Sequence, residues 1–240
     1  MTPLLFGPDH RRLFGVYHAA ASGTRGVVLI PPLGQEALRA HRALRILADA
    51  LAQSGWHVLR FDPYGTGDSG GDDEDVTLAG VVSDVAVATL ELQAVTGARQ
   101  MALGGLRFGA TAALLAAPTL PSVRALLLWE PVVYGAQLAA ELDLSASKVT
   151  ESQGFRYAAG LCGELQGVTP ERLARGPLPK RGLLVWSVAP ERAFTETLAR
   201  AIERLEVATL PAPAAWSEEN DFGAGPVPAG VIARFAEWRP

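Results

Sequence analysis

Apolar runs and helical periodicity alternate through most of this 240-residue chain. Runs rich in β-branched and aromatic residues predict short strands, at residues 12–18, 26–32, 56–62, 100–105, 123–131, 182–188 and 206–213. Apolar residues that recur every three or four positions predict helices, at residues 36–55, about 77–95, 110–117, 191–205 and 228–238. Strands that alternate with helices favour a largely parallel sheet covered by helices on both faces. We therefore expect an α/β fold.

One long stretch, residues 134–180, contains no run that we can assign to the sheet. We interpret it as a cap-like insertion over the carboxyl edge of the sheet. The hydrophobic fraction, 49%, and the length suit one α/β domain with one sizeable core. The prediction is a single domain over residues 1–240, with 134–180 as the insertion.

The charge balance disfavours polyanionic partners. A net charge of -4 argues against nucleic acid or an anionic membrane, since neither is drawn to an acidic surface. The candidate basic stripe, Arg39, Arg42 and Arg45, spans one predicted helix and fits a solvated helix face better than a binding patch. The expected partner is therefore a small molecule, an acyl or carboxylate group among the possibilities, and the sequence does not predict an oligomeric state.

Cysteine usage and the apolar runs suggest where the chain resides. A single cysteine, Cys162, excludes internal disulfides and fits a reducing compartment. The opening residues MTPLLFGPDHRRLF do not resemble a signal peptide. We also find no stretch that we expect to be long and apolar enough to span a bilayer. These features predict a soluble, cytoplasmic protein without membrane insertion.

The glycine-rich stretch GTGDSGG, residues 65–71, fits two well-known patterns. Its glycines match the dinucleotide-binding spacing G-x-G-x-x-G, but they run into four acids, DDED, that would repel a pyrophosphate. The letters GDSGG resemble a chymotrypsin-type nucleophile segment, but that fold consists of β-barrels. We favour a tight loop in which Asp62 and Asp68 bond local backbone and the glycines adopt positive φ. No cofactor is predicted from it.

The stretch LGGLRFGA, residues 103–110, has the outline of a nucleophile elbow. In the G-x-S-x-G elbow a strand makes a sharp turn and a helix begins at once, which exposes the central serine at the carboxyl end of the sheet. Gly105 and Gly109 would remove side chains that collide in so tight a turn. The central residue in this chain is Arg107.

The order of these segments resembles that of the α/β-hydrolase superfamily. More narrowly, PPLGQEALRAHRA, GLRFGA and LLLWEPVVYG resemble the exosortase-system-associated hydrolases and related bacterial α/β hydrolases found beside biosynthetic genes. The resemblance covers most of the chain and is sharpest in those three motifs. It implies an α/β-hydrolase fold with about eight mostly parallel strands. Members of the narrower group also tend to carry arginine at the elbow and an acid where Glu36 stands.

The sequence does not supply a catalytic triad. A serine-type mechanism needs a nucleophile, a histidine to take its proton and an acid to orient that histidine. The resemblance places the acid after residues 182–188, where the chain reads Ala189-Pro190-Glu191, and the histidine in PAPAAWSEEND, residues 211–221. No histidine follows His57. Cys162 and Ser187 are possible substitutes, but neither has an evident base, and small buried residues are the favoured interpretation.

Arginine at the elbow requires a chemical explanation. A guanidinium does not lose its proton, so it is no general base, and burying it costs several kcal/mol unless an anion compensates it. The superfamily's strand order puts Glu36 and Glu130 nearest to it. We favour a buried ion pair over the alternative, a cationic floor for a carboxylate or phosphate beside a helix N-terminus. The candidate pocket residues are Arg107, Glu36, Glu130, Leu33, Gly34, Phe108 and Trp216.

Three hypotheses about function follow from these residues. The first is a protein without a triad that binds a small ligand or a partner protein in a biosynthetic or export pathway. The second is a working esterase or thioesterase with atypical catalytic residues. The third is a structural subunit whose pocket is filled. We predict no catalytic residue and no metal site, and the absence of a late histidine favours the first hypothesis over the second.

Overall fold

A computed structural model describes residues 1–20, 22–217 and 225–240. Its strands are β1 (Thr2–Phe6), β2 (Leu13–His18), β3 (Arg25–Ile30), β4 (Trp56–Asp62), β5 (Gln100–Leu106), β6 (Val123–Trp129), β7 (Thr150–Ser152), β8 (Phe155–Tyr157), β9 (Arg181–Trp186) and β10 (Arg204–Thr209). Eight of them form one sheet in the order β1-β2-β4-β3-β5-β6-β9-β10, in which only the β1-β2 and β2-β4 pairs are antiparallel. The predicted sheet of about eight mostly parallel strands is confirmed.

Helices cover both faces of this sheet, as predicted. They are α1 (Gln35–Gln53), α2 (Leu78–Thr96), α3 (Phe108–Ala116), α4 (Gly135–Glu141), α5 (Ala159–Gln166), α6 (Pro170–Leu173), α7 (Arg192–Ala201) and α8 (Ala229–Glu237). One core cluster lies between the sheet and α1 and α8, and the other lies between the sheet and α2, α3, α5 and α7. The sequence did not predict β1, which pairs with β2 at the edge of the sheet.

The helix α2 corrects one expectation. It has 19 residues and is apolar enough, by length and composition alone, to cross a membrane, so the prediction that no such stretch exists was wrong. The helix nevertheless packs against β3, β4 and α3. It also buries Asp84, which pairs with Arg11 at 2.7 Å. An apolar helix with a buried, ion-paired carboxylate has the contacts of a core helix.

Residues 134–180 contain α4, the two-stranded hairpin β7-β8, α5 and α6, and they add no strand to the main sheet. The helices α4 and α5 pack together, and α5 also contacts α2. Tyr157 of the hairpin lies against Gly34, where β3 leads into α1. The insertion therefore meets the sheet at the loops that follow its parallel strands.

The loop of residues 65–71 has the tight backbone that we expected. Gly65 and Gly67 have φ of 84° and 53°. The Asp62 carboxylate accepts a hydrogen bond from the Asp68 amide at 3.0 Å. Asp62 thereby fixes the end of β4.

Candidate functional site

The turn between β5 and α3 places Arg107 at the carboxyl edge of the sheet. Its backbone has φ 53° and ψ -120°, a strained conformation for a residue with a side chain. A side chain on Gly105 would collide with the backbone of Gly109, and one on Gly109 would collide with the carbonyls of Ile30 and Pro31. The two glycines allow β3, β5 and α3 to approach closely, so the segment folds as an elbow.

The Arg107 side chain is held by three partners. Its Nε donates to Glu36 Oε1 at 3.0 Å, and a terminal amino group donates to Glu141 Oε2 at 3.2 Å. Its guanidinium carbon lies 5.3 Å from the centre of the Trp216 ring, which adds a cation–π contact. Only 18% of the Arg107 side chain is exposed. The nucleophile position is thus filled by a cation that is fixed from several sides.

Glu36, at the start of α1, is the more buried of the two acids. Its side chain is 15% exposed, against 58% for Glu141. Burial raises the pKa of Glu36, and the nearby Arg107 guanidinium opposes that rise without cancelling it. Its second oxygen, Oε2, is buried without a hydrogen-bond partner, as is the Tyr157 hydroxyl. Burial raises the pKa of Tyr157 as well, and the charges of Asp73 and Glu36 add to that rise.

Glu130 does not pair with Arg107, although it also lines the cavity beside it. Its buried carboxylate accepts from the backbone amides of Ser187, Val188 and Ala189 at 2.6, 3.2 and 2.8 Å. Ser187 Oγ donates to the same carboxylate at 3.2 Å. Glu130 therefore satisfies three backbone amides of the loop after β9. The resemblance places the triad acid in this same loop.

The remaining predicted pocket residues occupy different places around the elbow. Leu33 and Phe108 are buried in the core that α2 and α3 cover. Gly34 caps the N-terminus of α1 under the Tyr157 hydroxyl. Trp216 stacks on Arg107 from the segment after β10. The structure thus brings Trp216 and Glu36 into contact with Arg107, whereas Leu33 and Phe108 lie in the core.

No described side chain near Arg107 has the arrangement of a nucleophile with its base. His18 bonds Asp49 and Arg60, and His57 bonds Tyr17. Ser187 is buried between Glu130 and the Trp129 indole, which donates to its hydroxyl at 3.0 Å. Cys162 is buried in α5. The resemblance places the triad histidine within residues 211–221, and residues 218–221 of that segment lie outside the described residues.

The charges around Arg107 disfavour the anion-site alternative. Two carboxylates already hold the guanidinium, so the three side chains carry a net negative charge when both acids are ionised. Glu130 and Glu191 line the same cavity, of about 190 Å³. A phosphate or carboxylate would be repelled there unless it displaced Glu141. Among the residues described, no cluster of three His, Cys, Asp or Glu suits a metal ion.

Sequence reasoning did not find Glu141 or Tyr157. Both lie in residues 134–180, whose path over the sheet had no counterpart in the strand pattern. Glu141 is at the end of the seven-residue helix α4, and no spacing in the sequence links it to residue 107. The sequence did indicate that Glu36 lies near Arg107, because Glu36 follows β3 and β3 is the neighbour of β5 in the sheet.

Scans against family models and curated proteins find no match. Among solved structures, Est1E from Butyrivibrio proteoclasticus, with ferulic acid bound, is similar at a TM-score of 0.77 and 16% identity, over 98% of this chain and 96% of that one. An esterase from Pyrococcus furiosus has a TM-score of 0.64 at 17% identity, over 90% and 83%. A thioesterase domain from the curacin biosynthetic pathway has 0.63 at 13%, over 98% of each chain.

These likenesses concern the fold, because the identities are low. With the sheet order, the two helical layers and the elbow, they show that the chain has the α/β-hydrolase fold. One fold of this kind supports many chemistries, so function has to be argued from the site.

Proposed function

We propose that this chain is an α/β-hydrolase-fold protein that binds a small molecule and does not carry out serine hydrolysis. The observation that carries the proposal is Arg107 in the nucleophile position, held by Glu36 at 3.0 Å and by Glu141 at 3.2 Å. A guanidinium cannot be activated by a base and cannot form an acyl intermediate. The elbow is retained as a rigid turn, and its chemistry is replaced by an ion pair.

The finer parts of the proposal rest on the motifs. GLRFGA and the acid at position 36 support placement with the exosortase-associated group, and with it a role in a biosynthetic or export pathway in the bacterial cytoplasm. A small ligand is preferred to a purely structural role because cavities remain at the carboxyl edge, including the one of about 190 Å³ beside Arg107. A subunit with a filled pocket would lack them.

The competing function is ester or thioester hydrolysis, which the names of the similar structures suggest. Nothing in the described site favours it, since neither a base nor a free nucleophile lies by the elbow. The test is intact-mass measurement of the full chain after treatment with a fluorophosphonate, with p-nitrophenyl acetate and butyrate turnover in parallel and an active serine esterase as the control.

We expect no adduct and no turnover above buffer from this chain, while the control esterase is fully labelled. A stoichiometric adduct that maps to one serine would contradict the proposal. Turnover without an adduct would contradict the binding role in another way, because it would show that the chain hydrolyses esters without a serine nucleophile.

A further inference from the structure

A second cavity, of about 400 Å³, lies against the β3–α1 loop and is lined by no residue of the elbow. It is bounded by α1, by β2 and β4, and by the loop after β4, and it shares no lining residue with the cavity beside Arg107. Its volume lies within the range of small-molecule sites, which is roughly 300 to 1,000 Å³. The ion pairs of Arg107 do not involve it.

Most of the wall of this cavity is apolar. Its apolar lining includes Phe14, Val16, Leu29, Leu38, Leu44 and Phe155. Leu38 is 61% exposed at the opening, and Phe155 comes from the hairpin β7-β8. Contact with such a wall removes the hydrocarbon part of a ligand from water, which favours binding. The cavity therefore suits a ligand with an apolar chain or ring.

One cation in this cavity has no ion-pair partner in the part of the chain that the structure describes. Arg60 of β4 is half-buried, and its Nε donates to His18 Nε2 at 3.2 Å. His18 is itself paired with Asp49 at 2.8 Å. Across the residues described, no carboxylate oxygen lies within 4.0 Å of the Arg60 guanidinium, so its terminal amino groups remain available. Asp62 and Asp49 act on the Arg60 charge from beyond that distance, and a ligand carboxylate would add a counter-ion in direct contact with the guanidinium.

The acids in the same wall set the charge that the ligand can carry. Asp62 and Asp68 both line the cavity, and Asp62 already accepts the Asp68 amide at 3.0 Å. Their negative field disfavours a phosphate dianion. A single carboxylate fits better, since its two oxygens match two parallel guanidinium donors. His41 lies at the rim.

We propose that this cavity binds a small monocarboxylate with an apolar body, the carboxylate on Arg60 and the body against Phe14, Val16 and Leu44. The inference rests on the proposed ligand-binding function and gives it a location and a ligand class. It differs from an anion site at the elbow, because two acids are ion-paired with Arg107, whereas among the described residues no carboxylate is ion-paired with Arg60.

The first experiment compares three probes of one chain length on the full chain by titration calorimetry: octanoate, octanamide and octylammonium. Because a hydrogen bond to a charged partner is worth about 1.5 to 3 kcal/mol, octanoate should bind about 10- to 100-fold more tightly than octanamide. Octylammonium should be the weakest. Equal affinity for octanoate and octanamide, tighter binding of octylammonium, or no binding of any probe would overturn the proposal.

Two variants and a control locate the binding. Arg60→Gln should remove the preference for octanoate over octanamide and leave the octanamide affinity within about threefold. Arg42→Gln removes an equal charge from the exposed face of α1, outside the cavity wall, and should leave the preference unchanged. Val16→Trp fills the cavity from β2 and should weaken all three probes at least tenfold, which keeps the test valid if Arg60→Gln fails to fold.

Equal loss of preference in Arg60→Gln and Arg42→Gln would show a general charge effect and overturn the assignment. Full affinity in a folded Val16→Trp protein would place the probes elsewhere and overturn it too. These outcomes are independent of fluorophosphonate labelling. An adduct at a serine with normal octanoate binding would reject the non-catalytic function alone, and a chain that is neither labelled nor binds octanoate would reject this inference alone.

Discussion

At the scale of the residue, the two ends of the Arg107–Glu36 pair are not equivalent. Burial, to which the Glu141 charge adds, raises the pKa of Glu36 despite the ion pair with Arg107. Arg107 has a second acid, Glu141, and the Trp216 ring. Among the ion pairs of the described residues, Glu36 is paired with Arg107. Loss of the cation is therefore more damaging than loss of the buried acid's charge.

The first prediction follows from that asymmetry. Arg107→Ala leaves Glu36 buried and unpaired and should lower the free energy of unfolding by about 3 kcal/mol, whereas Glu36→Gln keeps an acceptor for Nε and should cost under about 1 kcal/mol. Glu141→Gln is the exposed control and should change it by less than about 0.5 kcal/mol. Urea midpoints of the three variants are the measurement. Equal losses of unfolding free energy in Arg107→Ala and Glu141→Gln would show that the buried Arg107–Glu36 pair does not stabilise the fold.

The second prediction concerns pH. A raised pKa means that folded Glu36 holds its proton more tightly than unfolded Glu36, so its contribution to stability is greatest at low pH and falls as pH rises above the ordinary value of 4.5. The stability of the wild-type chain relative to Glu36→Gln should therefore decrease between about pH 4 and pH 7. Denaturation at pH values across this range measures it. A relative stability that increases with pH would mean that Arg107 outweighs burial.

At the scale of the element, α2 and the elbow are each held by a contact that periodicity does not reveal. Arg11 binds both oxygens of Asp84, at 2.7 and 3.1 Å, and stacks on the Tyr64 ring at 4.3 Å. Asp84 also accepts the Tyr64 amide at 3.0 Å. These contacts join the segment before β2, the loop after β4 and α2. The sequence predicted α2 as a helix within about one residue, but not the carboxylate that ties it to two loops.

The third prediction tests this tie. Arg11→Ala leaves the Asp84 carboxylate buried with only an amide donor, and the free energy of unfolding should fall by about 3 kcal/mol. Arg12→Ala is the matched control, because Arg12 is 49% exposed and pairs with Asp9, which is 94% exposed. Its loss should stay within about 0.5 kcal/mol. Thermal or urea unfolding of both variants gives the answer, and similar losses would show that Asp84 does not depend on Arg11.

The fourth prediction concerns the elbow as an element. Gly105→Ala adds a methyl group against the Gly109 backbone and about 2.5 Å from the Ala110 amide nitrogen, so the turn between β5 and α3 must open. We expect a loss of several kcal/mol or failure to fold. Gly160→Ala, at an α5 position with no heavy atom within 4 Å of the added methyl, is the control and should be neutral or slightly stabilising. Soluble yield and unfolding midpoints measure both, and a stable Gly105→Ala protein would show that the turn is not tight.

At the scale of the whole molecule, the alternation of apolar strands and amphipathic helices was enough to predict the sheet and its two covered faces. The apolar composition of the buried strands predicts them, as at residues 123–131 and 182–188. The exposed edge strand β1 does not, because Thr2, Pro3 and Leu5 face solvent and form no continuous apolar run. Nor did periodicity locate the second cavity, whose Arg60 and Phe14 come from strands that meet only in the folded sheet.

The site was predictable where chain order and strand order coincide. Glu36 and Arg107 follow neighbouring strands, so the resemblance could place them together. Glu130 also follows a neighbouring strand, but its positive φ of 46° accompanies a carboxylate bound to the amides after β9 instead. Competition between a side-chain cation and three backbone amides is decided by local geometry, which the sequence pattern does not contain.

The Arg107→Ser variant restores the usual residue of the elbow, so it tests directly whether Arg107 is all that prevents serine hydrolysis. We predict that its intact mass is unchanged by a fluorophosphonate and that it does not hydrolyse p-nitrophenyl butyrate above buffer, because no described base or orienting acid stands ready to activate the new hydroxyl. Stoichiometric labelling of the introduced serine, with turnover, would contradict the account and show that a complete catalytic apparatus surrounds the elbow.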